Sequence, residues 1–263
     1  MELKDLAGHD LGARTIAYDA RDAILYALAV GASCDETDLV YERDLRVLPT
    51  YACALGLWAV EEAGGLGAYD PNRSLHANQS LELHAPMPRS GSFEAQGRIA
   101  EVWDKGKAAI VTIVVECEIF TARYGIFLPG RGGWGGERGP SVSSREWHSS
   151  WQGRHATDRS RAALYRLTGD LHPIHIDVEV ARANGFDRPI LHGLCTLGIA
   201  ARMLAEPAGA HPSELRRLEA RLAAPVMPGD AIDVTAAGDD ASLLFQAQVG
   251  ETAVLTGGRA AFG

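Results

Sequence analysis

Residues 169–177, GDLHPIHID, put two histidines and two aspartates into nine positions around Pro173. Three chemistries suit such a stretch. Asp170 and His175, held on one rigid turn, could converge on a water or a substrate as an acid/base pair. His172, His175 and Asp177 could instead offer nitrogen and oxygen ligands to a metal, although Pro173 interrupts the HxxH spacing, the Glu of an HExxH helix is missing, and a third ligand such as His192 would come from elsewhere. The third reading is a polar turn whose side chains cap the backbone. Gly169 permits close backbone approach and Pro173 restricts the turn, which suits the pair, while Asp177 stands where it would cap a short helix over VEVARANG.

The elements that must carry this turn show in the periodicity. DARDAILYALAV, residues 19–30, places Ile24, Leu25, Leu28 and Ala29 at helical spacing behind a capping Asp. TYACALGLWAVEEAG reads as a second apolar helix. SLELHAPMP, SFEAQGRIAEVWD and KAAIVTIVVECEIF then alternate or are β-branched, with Gly and Pro between them. The expected order is helices first, then antiparallel strands.

The second half repeats that order. SRAALYRLTGD echoes RDAILYALAVG, ILHGLCTLGIAARMLAE supplies an apolar helix, and RLAAPVMPGD echoes ELHAPMPRSG. Tyr26 and Tyr165 are 139 positions apart, as are Pro86 and Pro225. One offset at two distant places indicates an internal duplication. Between the halves lies PGRGGWGGERGPSVSS. Its Gly130, Gly132 and Gly135 satisfy GxGxxG, yet ERGPSVSS follows where a dinucleotide fold needs a helix, so the stretch reads as a turn or linker, with cofactor binding second. The expected organisation is an N-terminal lobe over 1–130, a Gly/Ser-rich connection over 131–150 and a C-terminal lobe over 151–263.

Composition narrows the function classes. A hydrophobic fraction of 46% with 22% charged residues fits a folded globular chain, and a net charge of −9 argues against nucleic acid or an anionic membrane as partner. The first residues lack a basic segment followed by an apolar run, and no apolar stretch is long enough to span a bilayer; a cytoplasmic protein is expected. Cys34, Cys53, Cys117 and Cys195 have no CxxC spacing and read as reduced thiols.

LYRLTGDLHPIHIDVEVARANGFDRPILHGLCTLG resembles the signature of the (R)-specific 2-enoyl-CoA hydratases, or hydratase 2, of the MaoC-like dehydratase family. RDAILYALAVGA, LHANQSLELHAPMPRSG, VWDKGKAAI, IFLPGRGGWGGERGPS and RLAAPVMPGD extend the resemblance over nearly the whole chain, to the two-lobed members. It implies an α+β double hot-dog fold, each repeat a long helix wrapped by an antiparallel sheet.

The resemblance also implies roles. Asp170 and His175 would hold a water, add its oxygen to C3 of a trans-2-enoyl thioester and deliver a proton to C2, and would run the dehydration in reverse. The backbone N–H of Gly193 would stabilise charge on the thioester oxygen. His76, Ala77, Lys105 and Leu222 would line the acyl-thioester and CoA path. The chain departs from the signature at His172, where the family has Asn, and His172 is assigned possible support of the dyad. Ala77 and Asn78 replace the usual Gly and Glu. Gly31 and Glu36 occupy the offset positions of the dyad, so one active site per chain is expected. The resulting reading is a hydro-lyase of fatty acid metabolism acting on acyl-CoA, homodimeric, with no metal and no organic cofactor. Two alternatives stand beside it: a non-catalytic acyl-CoA-binding protein, motivated by His172 and LHANQ, and a metal-dependent hydrolase using His172 and His175.

Overall fold

The computed structural model describes residues 2–140, 147–239 and 242–263, so positions 141–146 of the expected 131–150 connection lie outside the described residues. The first half contributes strands β1 (Asp10–Tyr18), β2 (Leu75–Leu83), β3 (Gly91–Asp104), β4 (Ala108–Glu116) and β5 (Phe120–Pro129). The second contributes β6 (Trp151–Ala156), β7 (Leu215–Leu222), β8 (Ala231–Asp239), β9 (Ser242–Val249) and β10 (Thr252–Phe262). They form one ten-stranded sheet in the order β1-β3-β4-β5-β2-β7-β10-β9-β8-β6. Every neighbouring pair is antiparallel.

The centre of that sheet explains the 139-residue offset. β2 and β7 pair with Ser80 opposite Glu219, and those two positions are themselves 139 apart. Equivalent strands of the two halves therefore meet at an approximate two-fold axis. The duplicated Tyr26 and Tyr165 also meet, both fully buried with ring centroids 6.0 Å apart.

Helices cover the sheet. α1 (Ala20–Ala29) begins at Asp19 with a reciprocal cap, the Asp19 carboxylate accepting from Asp22 N–H and the Asp22 carboxylate from Asp19 N–H, each at 3.1 Å. A short α2 (Thr37–Val40) follows. The stretch expected as one apolar helix is two, α3 (Tyr51–Leu55) and α4 (Trp58–Gly65), so the long helix expected in the first repeat is broken. The break falls at Gly56, where a side chain would collide with the Tyr124 hydroxyl, itself donating to Cys53 O at 2.8 Å. In the second half come α5 (Arg161–Tyr165), α6 (Val178–Ala183) and α7 (Gly193–Met203). α7 buries Leu194, Leu197, Ile199 and Ala200 against β7, β8 and α3, as a helix apolar on all sides must.

The expectation of helices before strands fails at both ends. β1 precedes α1 and β6 precedes α5, each as an edge strand of the sheet. Edge strands lack a neighbour on one side, so their alternation is shallow, as in β6, where three of six residues are exposed and the other three only half-buried.

Candidate active site

The turn that carries Asp170 and His175 is built locally. α5 ends in a 3-10 turn over Arg166–Thr168, and Gly169 reverses the chain at φ 139°, a conformation that disfavours any side chain. Pro173 opens a second 3-10 turn, Pro173–His175. The Asp170 carboxylate accepts from His172 N–H at 3.2 Å, and His172 Nδ1 accepts from Ile174 N–H at 3.2 Å. Asp177 caps α6, accepting from Glu179 N–H at 2.7 Å and Val180 N–H at 3.2 Å.

His175 is oriented from the far side by Ile190. Its Nδ1 lies 2.9 Å from Ile190 O. A carbonyl only accepts, so Nδ1 carries the proton and Nε2 keeps its lone pair. That Nε2 faces Asp170 Oδ2 at 4.0 Å, with the two side chains 11% and 18% exposed. The separation is too long for a direct hydrogen bond and leaves room for one water at about 2.8 Å from both groups. Burial lowers the pKa of His175, against the opposing pull of the Asp170 charge.

His192 completes the cluster. It has no solvent exposure, stacks on His175 with centroids 3.6 Å apart, and packs against Tyr165 at 4.8 Å. Its Nε2–H donates to Asp170 O at 3.2 Å, and burial, reinforced by His175, holds its pKa down to about 3. Gly193 follows as the first residue of α7, where an amide N–H has no partner within the helix and the helix dipole favours negative charge. A methyl group at Gly193 would stand 2.8 Å from Leu222 Cδ1, so the end of β7 closes on this amide.

Strand pairing delivers the first half to the same place. β2 lies beside β7, with Asn78 opposite Arg221, the neighbour of Leu222. Ala77 occupies a bulge between His76 and Asn78. His76 Nε2 contacts Asn78 O at 3.1 Å; burial pushes its pKa down to about 4 while the Asp170 charge acts to raise it, which puts His76 within electrostatic reach of the dyad. Lys105 sits further off, on the β3–β4 turn. Its ammonium donates to Arg138 O, and its pKa is lowered by burial and by the neighbouring charges of Arg138 and Arg221. A cleft of about 400 Å³ reaches His175 itself, walled by Ile176, Ala162 and Pro189, with Arg159 and Arg188 beside it.

The positions equivalent to the dyad hold no such pair. His155 packs over Gly31, and Glu36 is ion-paired with Arg202 at 2.8 Å.

The metal ligands considered from spacing do not converge, because His172 and Asp177 are both used as caps. Asp170, His175 and His192 do approach, with donor atoms within 4.8 Å of one another. Their geometry suits an ion poorly. The two rings are 26° from parallel and stacked, and each gives one N–H to a carbonyl, so the remaining lone pairs run alongside each other instead of meeting as a tetrahedral site requires.

The Gly-rich stretch does bind an anion, but one of its own chain. Gly106, Gly133 and Gly135 N–H each donate to the buried Asp104 carboxylate at 2.8 Å, and Gly136 N–H at 3.3 Å. These donors, Gly133 foremost, hold its pKa down to about 2. At Gly132 a side chain would strike Ala108 O. The GxGxxG match is thus a structural loop folded around a carboxylate. Two contributors were invisible in the spacing of GDLHPIHID: Ile190 O, which sets the His175 tautomer, and the His192 stack. The histidine directly before the helix-opening Gly193 was the only local signal.

Residues 16–125 match the MFE-2 hydratase 2 N-terminal domain, and residues 148–258 match the MaoC like domain. The chain is 34% identical over 268 residues to the peroxisomal multifunctional enzyme type 2 of Mus musculus, an alignment that takes in 93% of this chain and 36% of that protein. It is 32% identical over 280 residues to the peroxisomal enoyl-CoA hydratase 2 of Arabidopsis thaliana, covering 94% of this chain and 90% of the plant protein. A crystal structure of a MaoC-like dehydratase from Phytophthora capsici superimposes with a TM-score of 0.88 at 26% identity, over 99% of this chain and 97% of that one. A double hotdog protein of Mycobacterium tuberculosis, 14% identical, shares the fold at a TM-score of 0.59, over 99% of this chain and 97% of that one.

Proposed function

The chain belongs to the MaoC-like hydratase 2 family, a double hot-dog fold, and on that premise we propose that it is an (R)-specific enoyl-CoA hydratase, a hydro-lyase that interconverts trans-2-enoyl-CoA and (3R)-3-hydroxyacyl-CoA. The observation that carries the mechanism is the 4.0 Å gap between His175 Nε2 and Asp170 Oδ2 beside the first amide of α7.

A water in that gap donates one hydrogen to the Asp170 carboxylate and the other to the His175 lone pair. His175 Nε2 takes a proton as the water oxygen bonds to C3. The C2–C3 π electrons move toward the thioester, and the oxygen that gains charge is met by Gly193 N–H. One proton returned to C2 by the pair closes the balance, water having supplied OH to C3 and H to C2. Reversal of each step is the dehydration. The atoms balance without a metal or an organic cofactor; coenzyme A enters as the substrate's carrier.

In this reading His76, Ala77 and Leu222 line the acyl-thioester path along the β2–β7 seam, and Lys105 attends the CoA phosphates. Lobe 1–130 accommodates the substrate and lobe 151–263 carries the dyad, joined through 131–150. A homodimer in a cytoplasmic setting belongs to the same proposal. Among the described residues no helix is long and apolar enough to cross a membrane.

The test is loss of enoyl-thioester absorbance with trans-2-enoyl-CoA of short, medium and long chain, followed by chiral analysis. The expected product is the (3R)-hydroxyacyl-CoA, with turnover lost by at least about 100-fold in Asp170→Asn and in His175→Ala while the fold is retained. Wild-type turnover preserved in both variants overturns the assignment of the dyad. Tight binding of enoyl-CoA without turnover would favour the non-catalytic binding protein.

A further inference from the structure

We propose that His172 is a positioning residue for the dyad, its imidazole Nδ1 doing the work of an Asn side-chain oxygen; the inference rests on the hydratase reading and extends it. Pro173 has no N–H, so the first donor of the Pro173–His175 turn that needs a partner is Ile174 N–H. His172 Nδ1 accepts it at 3.2 Å. Nδ1 is bonded to Cγ, as the Asn side-chain oxygen is, so the closed ring is the imidazole counterpart of an Asx-turn.

The same residue touches both members of the dyad through its backbone. Its N–H donates to Asp170 Oδ1 at 3.2 Å, and its carbonyl accepts from His175 N–H at 3.3 Å. Its ring meets the His175 ring edge-on, with centroids 6.2 Å apart. One capped residue therefore sets the carboxylate, the turn and the imidazole relative to one another. The cap requires the tautomer with Nδ1 unprotonated and the hydrogen on Nε2. The substitution that separates this chain from the family signature thus preserves the acceptor and changes the group around it.

The proposal requires that activity follow an acceptor at the γ-branch and not the ring. His172→Asn is expected to keep kcat within about threefold of the natural chain, whereas His172→Ala and His172→Gln, which lack an acceptor at that reach, lose about 10- to 100-fold in kcat with KM changed by less than about threefold. Thermal unfolding of each variant separates this from general loss of fold, and the Asn variant keeps the comparison decisive if the Ala variant does not fold. Undiminished kcat in His172→Ala, or equal rates for the Gln and Asn variants, overturns it. A direct readout is independent of turnover: nitrogen NMR of the natural chain at neutral pH should find His172 Nδ1 unprotonated and hydrogen-bonded to Ile174 N–H. A protonated Nδ1 overturns the positioning role. Absence of turnover on every enoyl-CoA, with that nitrogen signature present, would sink the hydratase reading and leave the cap standing.

Discussion

The imidazoles of His175 and His192 lie face to face, centroids 3.6 Å apart and planes 26° from parallel. Two charged rings could not be held so, and both have their pKa lowered, His192 to about 3, chiefly by burial. His192 is therefore a neutral platform: its ring supports His175 and its Nε2–H fixes the carbonyl of Asp170.

His192→Phe keeps an aromatic face under His175 and removes the donor to Asp170 O. The loss of one buried hydrogen bond, about 1–1.5 kcal/mol, predicts a fall in kcat of about tenfold, larger than any change in KM. Steady-state kinetics on an enoyl-CoA checks it, and an unchanged kcat would show that the stack alone suffices.

Gly193→Ala tests the space in front of the α7 amide. The atoms nearest the added methyl belong to the flexible end of Leu222, so stability should change by less than about 1 kcal/mol, while kcat/KM falls by about 10- to 100-fold as methyl and leucine crowd the thioester. Leu222→Ala in the same chain should recover part of the loss. Additive effects in the double-mutant cycle would refute the contact as the cause.

Three histidines whose pKa is lowered on folding predict acid lability. Burial pushes the pKa of His76 and His155 down to about 4 and that of His192 to about 3, against an ordinary value near 6.5. Below about pH 6.5 the unfolded chain binds protons that the folded chain refuses, so stability falls with falling pH until each folded-state pKa is reached, with the smaller share from His155, whose partial exposure screens it. His155→Phe, which also removes a buried ring nitrogen with no partner, should make that slope shallower by one histidine's share. Denaturant midpoints measured between pH 7 and pH 5 in both chains decide the matter.

Asp104→Asn removes the charge around which the glycine loop folds. With its pKa held to about 2, Asp104 contributes stability that is fully present above about pH 4 and lost as pH falls toward 2. The variant should melt several degrees lower at pH 7. Its deficit should shrink on acidification, a convergence that differential scanning calorimetry can follow.

Much of this was legible because it is local. The Asp19 and Asp177 caps, the GDLHPIHID turn and the β-branched β4 each depend on groups a few residues apart, and the repeated tyrosine and proline recorded the duplication directly. The acceptor that His172 offers to Ile174 N–H was open to the same reasoning, since His and Asn place an acceptor at equal reach, but the sequence reading assigns His172 possible support of the dyad without naming that contact. The edge strands β1 and β6 and the break at Gly56 escaped, because their causes are strand partners and a tyrosine far away in the chain.

By itself the sequence determined the family, the fold class and the residue types on the catalytic turn, because short-range spacing and a held offset encode them. Only the tertiary structure decided the pairing of Ser80 with Glu219, the use of the glycine loop on Asp104, the tautomer of His175 and the stack beneath it. Those features join groups separated by 15 to 139 residues. Their partners are selected by sheet register and burial, quantities that exist only once the chain has closed on itself.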